Sequence, residues 1–294
     1  MTESCVSKIR KWREYRAEGK ECLDLLRKYP FTSESDKKSP RAIDFYYSPS
    51  TEENLQRLRE TYELDKIASQ GSELQKITNL MTWVYQLAAH ANEPAIPTER
   101  NAFSFIHMAK NEKKSINCYM KTVILNDVYL SMGFSSRYTH LLPYTKEEES
   151  SHFVTSVYSQ TLGKWILMDP DFGVYVKDRK GSILGVAEIR KYLIEGKRMK
   201  AVHIGKNRLK EKIEVLISKI DYFWFLSLFI FKIRSPKISK FNQDSEEKRV
   251  YYELLPKNYH DELVFTSQIK MEKKYFSLVM NQHYGNILKE NNFF

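Results

Sequence analysis

The segment Cys118–Leu130 constrains this chain most. Its helical spacing places Met120, Val123, Ile124, Leu125, Val128, Tyr129 and Leu130 around nearly the whole axis. A helix apolar on nearly all sides is buried at the centre of a fold, not laid on a surface. Ser115 or Asn117 offers its N-cap and Gly133 its stop. Other elements must therefore cover it. With 294 residues, at about 150 per domain, the chain has room for one large domain or two small ones. Sixteen Phe, nineteen Tyr and four Trp supply core bulk. Ten Gly, nine Pro and 42% hydrophobic residues exclude low-complexity and disordered classes.

The periodicity ahead of this helix is helical. Residues 1–30 read as one amphipathic helix stopped by Pro30, with Trp12, Cys22, Leu25 and Leu26 near helical spacing. Residues 33–40 read as loop. A second helix opens at Pro49–Ser50 and carries Leu55, Leu58, Tyr62 and Leu64; a third runs from Glu73 to Ala89. Asn92–Arg100 reads as loop. Behind the central helix the period changes to that of strands at Arg137–Tyr144, His152–Ser159 and Lys164–Met168. The four residues Gln160–Gly163 fit a hairpin loop, which makes Ser159 face Lys164. Then come Phe172–Val176, a polar turn near Gly181 and a short helix over Val186–Ile194. Tyr222–Phe231, YFWFLSLFIF, is too short to span a bilayer and reads as a buried helix or strand. Arg249–Leu255 and Leu263–Lys270 read as strands, with Asn242–Lys248 a loop or turn.

The net charge is +10 and the pI near 9.2. Arg179–Glu214 holds +7 of it, eleven Lys/Arg against four Asp/Glu. No reading motif lies there, so the stretch is expected to be a solvated basic face, with no nucleic-acid partner. Three cysteines without a Cys-x-x-Cys give no disulfide framework and no zinc or redox pair. Reduced thiols and a cytoplasmic location are expected, and the polar first twenty residues carry no leader-like apolar stretch. No metal or nucleotide motif occurs, so no cofactor is expected. Cys5, Cys22, His90, His107, His140, His203, His260 and His283 are read as packing or surface residues, and Trp165 as core.

Three residues form a chemical set: Cys118 at a helix start, His152 at a strand start and Asp169 at the end of the next strand. A thiol at a helix N-terminus gains from the dipole and from free N–H groups, which favour thiolate. An imidazole in reach takes the thiol proton and returns it to a leaving group. A carboxylate on the far ring nitrogen fixes the tautomer. The Cys118 N–H is the oxyanion donor this arrangement offers. Register favours Asp169 over Asp171. A four-residue loop sets Asp169 opposite Val154, on His152's face, and Pro170 cannot continue the ladder.

INCYMKTVILNDVYLSMGFSSRYTHLLPY, followed by SHFVTSVYSQTLGKWILMDPDFGVYV, resembles the core of the transglutaminase-like superfamily, and most of all uncharacterised bacterial members. Cys118 opens the helix, Gly133 and Arg137 fall where the helix ends and a strand begins, His152 follows Cys118 by 34 residues, and Asp169-Pro170 follows His152 by 17. The likeness covers about Leu64–Val176 and extends more loosely to Tyr259. The chain departs from the family at Asn117, Thr122 and Phe153-Val154.

The resemblance implies an α+β fold with a papain-like core: a central helix on an antiparallel sheet. It implies a helical lead-in over 1–63, a catalytic core over 64–177 and a mixed extension over 178–294 packed on that core. It implies thiol-dependent acyl transfer at an amide carbonyl of a peptide or protein, as transamidation or as hydrolysis. Cys118 is then the nucleophile, His152 the base and acid, and Asp169 its orienter, with no metal or organic cofactor. The alternative is a binding or scaffold module without turnover. A nucleic-acid-binding protein built on the basic stretch is a lesser alternative. An arylamine acetyltransferase ranks lower still, because no Arg-Gly-Gly-x-Cys surrounds Cys118.

Overall fold

The computed structural model describes residues 20–30, 45–91, 94–144, 151–204, 222–245 and 250–254, apart from the Glu253 side chain. Residues 20–28 (α1) are helical up to the turn before Pro30. Then come β1 (Tyr46–Tyr47), α2 (Glu53–Thr61), α3 (Leu64–Ala68), α4 (Glu73–Tyr85), α5 (Ala102–Lys110) and α6 (Cys118–Ser131). β2 (Ser136–Leu142), β3 (His152–Ser159), β4 (Lys164–Met168), β5 (Val174–Asp178), α7 (Val186–Glu195) and β6 (Met199–His203) follow. Residues 222–229 form α8. β7 (Lys232–Pro236), β8 (Ile238–Ser239) and β9 (Tyr251–Leu254) close the described chain. The expected strand over 263–270, the expected loop over 33–40 and most of the expected first helix lie outside the described residues.

The chain is an α+β protein. Its main sheet is antiparallel throughout, in the order β4-β3-β2-β7-β9. The strands alternate between two cores, as a period of 2 requires. Phe153, Val157, Ile166 and Met168 pack with α2 to α6, while Val154, Leu167, Leu141 and Ile233 pack with α7, α8 and β5. β7 and β9 come from the expected C-terminal extension, so that extension completes the sheet begun by β2 to β4.

The central helix α6 is buried along all fourteen residues. Asn117 Oδ1 caps it by accepting the Met120 N–H at 3.0 Å. Gly133, at φ 82°, ends it in the left-handed region that favours glycine. Its polar residues are not left bare, which would cost about 1–3 kcal/mol each. The Asn126 amide bonds Ser239, and Asp127 accepts the Ala102 N–H at 3.1 Å. Burial, then the nearby Asp244 and Glu52, pushes the Asp127 carboxyl well above the usual range.

The β3–β4 hairpin has the expected register, Ser159 opposite Lys164 and Thr155 opposite Met168. The Glu73 carboxylate on α4 staples its turn, accepting from Gln160 N at 2.7 Å, Thr161 N at 2.8 Å and Ser159 Oγ at 2.9 Å. One expectation fails and one unexpected helix is present, each for a local reason. The second helix breaks between α2 and α3 because Glu63 sits at φ 50°. Helix α5, falling in a stretch with no expected element, is nucleated by Asn101, which shares a reciprocal capping pair with Ser104.

Candidate active site

Helix α6 delivers Cys118 at its first position, where the backbone N–H has no acceptor within the helix. Strand β3 delivers His152 at its first residue, opposite Leu141. Asp169 follows β4 directly and pairs its backbone with Val174 in both directions, at 2.9 and 3.0 Å. That closes a tight turn over Pro170 to Gly173. Gly173 is at φ 60°, and a Cβ there would meet the Tyr85 ring at 3.0 Å, so the turn needs glycine.

His152 Nε2 lies 2.7 Å from Asp169 Oδ2. Both groups are buried, at 3% and 0% side-chain exposure. Asp171, the competing carboxylate, bonds other partners than His152. It accepts from Lys121 Nζ at 3.1 Å and faces His90 Nδ1 at 2.8 Å. His90 is exposed, in line with its reading as a packing or surface residue, and its ring sits beside the Asp171 carboxylate. With Nε2 taken by Asp169, Nδ1 is the ring nitrogen left for the Cys118 thiol.

The surroundings decide the protonation of His152. Burial alone lowers its pKa, but the Asp169 charge and hydrogen bond, joined by Cys118, raise it well above 6.5. His140, stacked on Phe153 with centroids 4.0 Å apart, behaves oppositely. Burial, then Arg234, Lys232 and His152, push it well below 6.5. His152, His90 and His107 each stand beside a carboxylate, and His140 has none among the described hydrogen bonds and ion pairs.

Asp169 is held from four directions. Oδ1 accepts the backbone N–H groups of Asp171 at 3.0 Å and Phe172 at 3.1 Å, an Asx turn closed by the residue's own chain. Oδ2 accepts His152 and also the Tyr222 hydroxyl, at 3.0 Å. Phe172 and Phe225 stand edge-on to the His152 ring, with centroids 5.5 and 5.0 Å away. Tyr222 and Phe225 both come from α8, which is the expected buried run resolved as a helix. Sequence spacing does not reveal them, because 53 residues separate Tyr222 from Asp169. The usable signal was the phenol itself, since a buried Tyr hydroxyl needs a partner.

Other singled-out residues lie apart. Cys22 lies partly buried on α1, and Cys5 lies outside the described residues, as do His260 and His283. His107 is exposed beside Glu112. Trp165 is partly buried and stacks on Arg137, whose guanidinium lies 4.0 Å from both its ring and that of Phe45. Within the expected basic face, Arg190 is fully buried and donates to the carbonyls of Ile230 at 3.1 Å and Tyr29 at 2.7 Å. It caps the carboxyl ends of α8 and α1 instead of facing water. Residues 205–214 of that stretch lie outside the described residues. Among the described residues no group of three or more His, Cys, Asp or Glu is placed to hold a metal ion. No helix there is long and apolar enough to cross a membrane.

No family model matches the chain, and no curated protein matches it. Among solved structures it is similar to a candidate cysteine protease from Cytophaga hutchinsonii, at 12% identity and a TM-score of 0.33. The match covers 60% of this chain and 61% of the other, so the chain spans less than two thirds of that protein's length. So distant a likeness bears on neither the chemistry nor the roles of the residues above.

Proposed function

We propose that the chain is a thiol-dependent acyltransferase or amidase of papain-like, transglutaminase-like architecture, acting through Cys118. The observation that carries this reading is the 2.7 Å contact between His152 Nε2 and Asp169 Oδ2 beside a thiol at a helix N-terminus. A buried imidazole clamped by a carboxylate on one nitrogen and facing a thiol with the other is poised for proton transfer.

In this reading Cys118 Sγ adds to the carbonyl carbon of an amide, and its proton passes to His152 Nδ1. The carbonyl oxygen becomes an oxyanion against the Cys118 N–H. The C–N bond then breaks, the departing amine takes the proton from His152, and a thioester remains on Cys118. Water or an amine adds to the thioester and gives a proton to His152. The thiolate leaves and recovers that proton. Asp169 holds the ring throughout. The proposed catalytic core is 64–177, with 1–63 as lead-in and 178–294 as an extension whose strands β7 and β9 join the core sheet. The substrate is a peptide or protein amide, and the setting is cytoplasmic.

The test is a screen of glutamine peptides with and without a primary amine, read by mass spectrometry. Release of ammonia or peptide cleavage, abolished in Cys118→Ala, supports the reading. A Cys118→Ala variant that turns over such substrates as well as the native chain contradicts it.

A further inference from the structure

We propose that Tyr222 is a positioning residue for the thiol–imidazole pair: its hydroxyl donates to Asp169 Oδ2, the same oxygen that receives His152 Nε2–H, and so sets how strongly the carboxylate holds the imidazole. This rests on the reading of Cys118, His152 and Asp169 given above.

The geometry separates this role from simple packing. Asp169 Oδ1 is fixed by two backbone amides of its own turn, so the carboxylate keeps its orientation without Tyr222. What Tyr222 controls is the electron density on Oδ2. Two donors share that oxygen, and each weakens the other's bond. The ring of Tyr222 is held independently, edge-on to Phe172 at 5.6 Å. Burial, then the Asp169 charge, push the Tyr222 hydroxyl well above its usual pKa, so it stays a donor throughout the working range. The groups facing His152 are Asp169 beyond β4, Cys118 of α6, His140 of β2, and Asp171 in the turn after Asp169. Changing the hydroxyl at 222 alters none of these side chains.

The test is the titration of the His152 imidazole by NMR in histidine-labelled protein, with the signal assigned through His152→Gln. In Tyr222→Phe that oxygen keeps only the imidazole, so the His152 titration moves up by about half a unit or more, a fraction of the roughly 1–2 units that one hydrogen bond to a charged group is worth. Encoding 2,3-difluorotyrosine at 222 preserves the shape and strengthens the donor, so the titration moves down. This second variant carries the test if Tyr222→Phe does not fold. In an Asp169→Asn background neither change moves the titration. Unmoved titrations in both single variants, or shifts that persist in the Asp169→Asn background, overturn the proposal. Alkylation of Cys118 by iodoacetamide keeps the two readings apart. Slow alkylation with the titration shifts intact sinks acyl transfer while supporting the coupling. Fast alkylation with unmoved titrations sinks the coupling alone.

Discussion

Lys121 and Asp171 form a buried ion pair, Nζ to Oδ1 at 3.1 Å, one turn along α6 from Cys118 and two residues beyond Asp169. Side-chain exposures of 2% and 5% leave neither charge to water. The ammonium also lies 5.7 Å from the centre of the Tyr85 ring. Burial raises the pKa of Asp171, but His90 and Lys121 outweigh it, and the carboxyl is held below its usual range. The pair joins the start of α6 to the turn that carries Asp169, and so sets the spacing of the site.

Neutralising one partner leaves the other charge stranded, which costs far more than the pair itself contributes. Asp171→Asn is therefore expected to lose on the order of 3 kcal/mol of stability. The midpoint of urea unfolding reads this. A change below about 0.5 kcal/mol, the range of a surface substitution, would show that Lys121 finds another partner.

Asp169→Asn acts differently. The turn can keep its Oδ1 contacts, but His152 loses the charge that holds its tautomer. Turnover is expected to fall on the order of 10³-fold or more, with far-UV circular dichroism unchanged. A variant with nearly native turnover would remove Asp169 from the mechanism.

Much of this was legible in the sequence. The all-round apolar pattern of Cys118–Leu130 has one physical solution, a helix covered on every side. The hairpin register followed from four loop residues, and with it came the approach of Asp169 to His152. What stayed hidden depends on distant partners. A phenol at 222 gives no sign that its acceptor is residue 169. The charge of Lys121 reads as a break in an apolar helix until Asp171 is seen beside it. Arg190 reads as part of a solvated face, because its acceptors are backbone carbonyls with no sequence signature. Helix α5 was hidden by its nine-residue length, and β7 by a short segment whose basic residues read as polar.

The two buried histidines of the sheet oppose each other in pH. His152 is raised in the folded chain, so its contribution is full below the unfolded value near 6.5 and is lost as pH climbs through the folded value. His140 is depressed, so the unfolded chain takes up its proton first and stability falls as pH drops below about 6.5. Unfolding midpoints measured from about pH 5 to 9 should show the deficit of His152→Gln narrowing toward alkaline pH. His140→Phe, which keeps the stacking on Phe153, should flatten the acid limb. Parallel curves for all three proteins would refute both assignments.

Alkylation by iodoacetamide near pH 6, followed residue by residue by mass spectrometry, tests most directly whether Cys118 is activated by His152. Cys118 is nearly buried, at 9% exposure, so a smaller thiol reagent serves as the control for access. Native Cys118 is expected to react about tenfold or more faster than Cys22 and Cys5. His152→Gln is expected to remove that advantage while leaving Cys22 and Cys5 unchanged. Equal rates for Cys118 in the native and His152→Gln proteins, with both reagents, would contradict activation of Cys118 by His152.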